Sequence, residues 1–296
     1  MTSPASNGTP GASAEPPAAP VSPGIPIPAR AHVHCLALLA PDDERPLAET
    51  LSRFLVSVGE RVEGLEPVDP TQFALVDRPR PCMFAKLRAG EWAWHVLVDP
   101  GGMPDTVREA VLAGTPTPEI LEAVDEHRLS VMVFLLEAPD DSTPMERFRA
   151  LARVLWAWLD AGATVVAFPE GQQVLPRRLL LPLEPEQLEP EHCYLFISNG
   201  MASQEKEMYW LRTWGMAQFA LPDLAAGLAA GTIDEARVES LKLLFETLPP
   251  AMIREHGVLP VGGTVEISTR TWTAVGPPGP GELTFMASRF GFQLFV

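Results

Sequence analysis

Leu129-Ser-Val-Met-Val-Phe-Leu-Leu136, Thr143-Pro-Met-Glu-Arg-Phe-Arg-Ala-Leu-Ala-Arg-Val-Leu-Trp-Ala-Trp-Leu-Asp160 and Thr164-Val-Val-Ala-Phe168 follow one another with short gaps. The first run is apolar at nearly every position and has the length of a buried strand, so it reads as a central strand. In the second, Thr143 stands as N-cap, Pro144 at the first helical position and Glu146 at the third, the spacing of a capping box. Gly162 supplies the stop, and residues 164–168 form the next strand. A strand, a capped helix and a strand in succession imply a sheet with a helix laid on it, and this sets the fold class as α+β.

Working toward the N-terminus, residues 32–39 read as a strand closed by the turn Pro41-Asp-Asp43. Leu47, Leu51, Phe54, Leu55 and Val58 fall on one face of a helix over residues 46–58. Residues 73–76 read as a short strand. Residues 82–87 and 92–98 form a hairpin with its turn near Ala89-Gly90, and Trp92, Trp94, Val96 and Val98 alternate onto one face. A broken helical stretch covers residues 105–126.

Toward the C-terminus, residues 169–191 are rich in Pro, Glu and Leu and read as a connector. Strands are expected at 193–198, 261–268, 283–287 and 292–296, with an extended, partly buried stretch at 208–221. Residues 233–256 read as helical, interrupted at Pro249-Pro250. The resulting organisation is a disordered Pro/Ala/Ser tail over 1–29, an N-terminal α+β domain over 30–182 and a smaller C-terminal α+β domain over 183–296. The first domain is expected to hold a mixed sheet covered by helices on one side.

Composition narrows the function classes. The 296 residues carry a formal net charge of −16 and 46% hydrophobic residues. Nucleic acid and anionic membranes are bound chiefly through Lys and Arg, so neither is expected as a partner. Arg78-Pro-Arg80 and Arg177-Arg178 are too short to track a phosphate backbone. The three cysteines, Cys35, Cys82 and Cys193, lie far apart in apolar runs and read as free buried thiols in a reducing cytoplasm. No apolar run approaches the ~20 residues that span a bilayer, and residues 1–29 lack the pattern of a secretory signal.

The stretch Arg212-Thr-Trp-Gly-Met-Ala-Gln-Phe-Ala-Leu-Pro-Asp-Leu224 resembles the signature of a bacterial group, the domain of unknown function numbered 4261. The matching positions are Gly215, Met216, Phe219, Leu221, Pro222, Asp223 and Leu224. Ala220 departs from the glycine expected there, and Ala225 replaces an acidic residue, which argues against a small anionic site in this loop. The resemblance implies an α+β fold and no catalytic residues.

Motifs for chemistry are sparse. Asp99-Pro-Gly-Gly102 and Gly262-Gly263 lack the lysine of a P-loop and the three-glycine spacing of a dinucleotide fold, so no cofactor is expected. His32 and His34 share a strand face and would need His95 or His192-Cys193 beside them to hold zinc or copper. Asp42-Asp43-Glu44 and Asp140-Asp141 would form an acidic site if their strands ended together, but turn chemistry explains both. Trp156 and Trp158, ~200° apart on a helix, leave room for one ring at an interface or in solvent, while core packing between the first sheet and its helices is the role expected for most of the tryptophans. The reading that follows is a non-enzymatic protein-interaction module. Its candidate contact residues are Trp210, Trp214, Met216, Phe219 and Asp223. One version is a neutralising partner of a basic effector or toxin. The alternatives are a metal-dependent hydrolase built on His32, His34, Asp42 and Asp43, and a structural subunit of a larger assembly.

Overall fold

The computed structural model describes residues 33–39, 47–68, 74–76, 82–100, 103, 108–109, 112, 116–205, 207–255, 257–267, 270–276 and 292–295. At its centre is β1 (Val33–Leu39), paired antiparallel with β5 (Leu129–Glu137) on one side and with β6 (Ala163–Phe168) on the other. β5 and β6 therefore run parallel with β1 between them. The helix joining them, α3 (Pro144–Ala161), completes a split β-α-β unit. Adding α1 (Leu47–Arg61), which packs against α3, and β4 (Trp92–Asp99), which pairs with β5, gives the topology of a ferredoxin-like plait. The sheet is extended by β3 (Cys82–Ala89) and β2 (Ala74–Val76) at one edge and by β7 (Gln173–Pro176) at the other. Every pairing in it is antiparallel, not mixed.

The start of α3 follows its sequence closely. Thr143 Oγ1 accepts from the Glu146 N–H at 3.1 Å, and Glu146 Oε2 accepts from the Thr143 N–H at 2.7 Å. Gly162 closes the helix in the left-handed region with φ 119, a conformation cheap only for glycine. The Phe54 ring of α1 stacks on Trp158 of α3, centroids 4.0 Å apart. Such a pair adds roughly 1 kcal/mol to the burial of its own area.

Both faces of the sheet are covered. Cys35, Ala37 and Leu39 of β1 belong to the core that includes α1 and α3. Leu36 and Leu38 point the other way and pack with Ile120 and Val124 of α2 (Pro118–Glu126). The continuous apolar run Cys35–Leu39 of β1 is the sequence signature of such two-sided burial, so the one-sided cover expected from sequence is corrected by α2. Trp156 and Trp158 are both fully buried, because α3 lies between α1 and the sheet on one side and residues 181–189 on the other. Trp156 Nε1 donates to the Leu183 carbonyl there.

The second sheet has the order β11-β12-β13-β10-β9-β8. Its members are β8 (Ser198–Glu205), β9 (Met208–Trp214), β10 (Asp223–Ala229), β11 (Thr264–Ile267), β12 (Arg270–Val275) and β13 (Phe292–Phe295). β10 and β13 are parallel and the other pairs antiparallel, so this sheet is the mixed one. α4 (Glu235–Glu255) contributes Leu241, Leu244, Phe245, Leu248, Met252 and Ile253 to the core. Phe148, Phe168, Phe196 and Phe219 touch one another at 4.5–6.2 Å between centroids and join the two sheets' cores.

Three local expectations are overturned. Residues 193–197 are not a strand: a 3-10 turn, Pro190–Leu195, takes the first three, and β8 begins only at Ser198. Cys193, Phe196 and Ile197 are buried while Tyr194 is exposed, which is the i, i+3, i+4 spacing of a helical turn. The pair Pro249-Pro250 does not interrupt α4, which runs through both. The tertiary packing of its apolar face outweighs the lost backbone bonds. The connector also contributes β7 to the first sheet and a helical turn at Arg177–Leu180. The expected tail over 1–29 and the expected strand at 283–287 lie outside the described residues.

Candidate functional site

The segment carrying the family resemblance folds into a buried knot. β9 ends at Trp214, and Gly215 turns the chain with φ 108 into a 3-10 turn, Met216–Phe219, before β10 begins at Asp223. A side chain on Gly215 would stand 2.7 Å from the Gly171 Cα and 2.8 Å from the Phe196 carbonyl. Gly171 is tighter still, its missing Cβ falling 1.9 Å from that same carbonyl. The Gln218 amide donates to this carbonyl at 2.9 Å. Two glycines thus let three chain segments meet around one peptide oxygen.

Asp223 anchors the knot. Its carboxylate accepts from Arg212 Nη2 at 3.1 Å, from the Met216 N–H at 3.2 Å and from Thr213 Oγ1 at 3.4 Å. Both partners of the ion pair are almost fully buried. Burial drives the Asp223 carboxyl up to about 6, against the pull of the Arg212 charge and the donated hydrogen bonds. Burial likewise pulls the Arg212 guanidinium below its ordinary value. Both members shift toward neutrality, so desolvation exceeds their mutual attraction, as expected of a buried pair.

The candidate contact residues are therefore divided. Met216 and Phe219 are core side chains and Asp223 is engaged internally. Trp210 packs on Ala225 and Leu294 within the second sheet. Trp214 lines a cavity, with the Arg212 guanidinium 4.8 Å from its ring centroid.

That cavity is an open cleft of about 790 Å³ between the end of β9, the start of β8, the turn at Pro190–Leu195, the beginning of β7 and the middle of α4. Tyr194 and Trp214 provide its aromatic surface; Gln172, Gln173 and Asn199 provide amides; Glu191 and Glu246 provide carboxylates. Gln172 sits at φ 50, a left-handed conformation unusual for glutamine. Cys193 also lines the cleft, but burial pushes its thiol up to about 12, which removes it as a nucleophile near neutral pH.

A second, apolar groove of about 310 Å³ adjoins the cleft and shares Asn199 and Phe245 with it. Met201, Tyr209, Leu211, Leu228, Ile233 and Val238 line it, with Lys242 as its charged member among the described residues. Met201 is 67% exposed, Ile233 44% and Val238 36%. On α4 and its approach the exposed acids Asp234 and Glu239 are paired with Arg237 and Lys242.

The histidine and acidic readings gain no assembly. His32, Asp42, Asp43 and Glu44 lie outside the described residues. The backbones of His34 and His95 are both in register with Phe134, so β5 separates them by two strand spacings, about 10 Å. The His95 ring packs edge-on against Phe84. His192 Nδ1 accepts the Glu189 N–H at 2.9 Å, a capping role. Among the described residues no group of three or more His, Cys, Asp or Glu is placed to hold a metal ion. Asp140 and Asp141 sit in an exposed turn before α3. Among those residues, too, no helix is long and apolar enough to cross a membrane.

Comparison of the chain with family models, with curated proteins and with solved structures gives no match.

Proposed function

We propose that this chain is a non-enzymatic interaction module that binds a basic protein through the apolar groove beside α4. The observation that carries this reading is the cluster of exposed Met201, Ile233 and Val238 around a concave apolar floor. Large apolar side chains gathered at one exposed hollow mark a contact site far more often than scattered ones do. The net charge of −16 fits a cationic partner and would speed its association. A neutralising role toward a basic effector or toxin is the specific form of this proposal. Kinship with the domain of unknown function 4261 is part of the same proposal and rests on residues 215–224.

The test pairs capture with substitution. The tagged full chain and its Met201→Asp/Ile233→Asp variant are used to capture partners from the source cells at low and high salt. Both substituted side chains are exposed, so circular dichroism and melting should be unchanged. A basic protein retained by the native chain, weakened by salt and lost from the variant supports the reading. Identical retention by both chains refutes the groove, and retention indifferent to salt refutes the electrostatic part.

A further inference from the structure

We propose that the cleft adjoining the groove is a receptor for a guanidinium or ammonium group, the arginine or lysine side chain of a basic partner being its natural occupant. This rests on the interaction reading above but uses different residues. Among the described residues the lining is rich in acceptors and holds no Lys or Arg side chain. Glu191 at the mouth is paired with Arg254, while Glu246 on α4 has no ion-pair partner among the described residues.

The helix itself adds acceptors. Pro249 and Pro250 carry no N–H, so the carbonyls of Phe245 and Glu246, four residues earlier, lose their regular donors. All four residues line the cleft. A helical carbonyl points toward the residue four positions on, so both carbonyls are directed at prolines of the cleft lining. A carbonyl without its helical donor keeps an acceptor that a cationic donor group can satisfy. The Ser198 Oγ, on the same wall, is buried and without a partner among the described residues.

The aromatic rings complete the match. Arg212 already lies over the Trp214 indole at 4.8 Å, so this ring takes a guanidinium within the fold. Tyr194, 68% exposed, offers a second ring at the opening. A planar guanidinium with five donors stacks on such rings and satisfies carboxylate and carbonyl oxygens together. The two arginines nearest the cleft are already committed, Arg254 to Glu191 and Arg212 to Asp223, so neither is free for a phosphate or carboxylate ligand.

The probes are agmatine, a tetra-arginine peptide and a tetra-glutamate control, titrated into the full chain and followed by nitrogen–proton correlation spectra. Saturable shifts at the Trp214 indole and at Gln173 and Asn199, from agmatine and tetra-arginine but not tetra-glutamate, are expected. Glu246→Gln and Tyr194→Ala, both at exposed positions, should each weaken binding about fivefold without moving the melting temperature. The proposal is overturned if agmatine gives no such shifts at about 10 mM. Shifts scattered over the acidic surface and indifferent to both substitutions overturn it as well. Agmatine that binds a chain with no protein partner leaves the cleft standing and removes the partner reading. A partner held through Met201 and Ile233 beside a cleft blind to agmatine does the reverse.

Discussion

Lowering the pH from 7 to 5 should stabilise this protein through Asp223, the opposite of ordinary carboxylate behaviour. The folded carboxyl is raised from the usual value near 3.8 to about 6, chiefly by burial. A raised acid binds its proton more tightly when folded. Its contribution to stability is therefore greatest below the unfolded value, falls as pH climbs through the 3.8–6 window, and levels off above it. The full shift corresponds to about 3 kcal/mol at 1.36 kcal/mol per unit. Between pH 7 and pH 5 the linkage relation gives a gain of about 1.3 kcal/mol. Asp160 and Glu186 work against this, since hydrogen bonds from their arginine partners outweigh burial and hold both below the usual range. Their loss is concentrated at more acidic pH. Asp223→Asn isolates the effect. It should cost about 2–4 kcal/mol at pH 7, because Arg212 stays buried without a counter-charge. It should also erase the gain on acidification. Urea midpoints of both chains at pH 7, 6 and 5 decide the matter. Stability curves that run parallel for the native chain and the Asp223→Asn variant would refute the argument that Asp223 titrates in this window.

Gly171→Ala should destabilise by about 3 kcal/mol or more, since its Cβ cannot coexist with the Phe196 carbonyl and the Gln218 hydrogen bond is disturbed as well. Gly59→Ala, with open space at its Cβ inside α1, should be neutral or stabilising by up to about 1 kcal/mol, and denaturant midpoints compare the two. Thr143→Ala removes the acceptor for the Glu146 N–H and should lower stability by about 1 kcal/mol in the same assay. All three cysteines are buried and free, so a thiol reagent near neutral pH should label the native chain far more slowly than the urea-unfolded one; fast native labelling of Cys193 would contradict its raised pKa.

What could be read from sequence was local. Thr143, Pro144, Glu146 and Gly162 specify α3 by chemistry within a few residues of each end, and all four behave as their types require. The hairpin of β3 and β4 follows from alternation around Gly90, which sits at φ 58. Errors arose where a local signal was real but outweighed or misread. Pro249 and Pro250 weaken a helix, yet Leu244, Phe245, Leu248, Met252 and Ile253 hold it in the core through both prolines. In the run after Glu189 the apolar residues suggested a strand, while the spacing of Cys193, Phe196 and Ile197 around exposed Tyr194 was helical all along. The burial of Trp156 fits the core role expected for most of the tryptophans, but the segment that covers it could not be read locally, because Leu183 folds back over α3 from 27 residues on.

The candidate site was hidden for a deeper reason. The most distinctive segment drew attention as a contact loop, yet Gly215, Met216, Phe219 and Asp223 serve the interior. Their distinctiveness follows from the close approach to Gly171, which only glycine permits, and from a buried ion pair that tolerates few substitutions. A fold-determining knot and a binding loop leave the same trace in a single sequence: unusual residues at fixed spacing. The cleft leaves almost none. Gln172, Tyr194, Asn199, Trp214 and Glu246 are ordinary where they stand in the chain, and they meet because the knot sets β7, β8 and β9 against α4. The knot is in this sense upstream of the site, positioning the cleft walls without touching a ligand. Gly171→Ala should then impair binding of agmatine even under conditions where the chain remains folded, because Gln172 and Gln173 follow directly from the displaced turn. Unchanged agmatine affinity in that variant would separate the knot from the cleft.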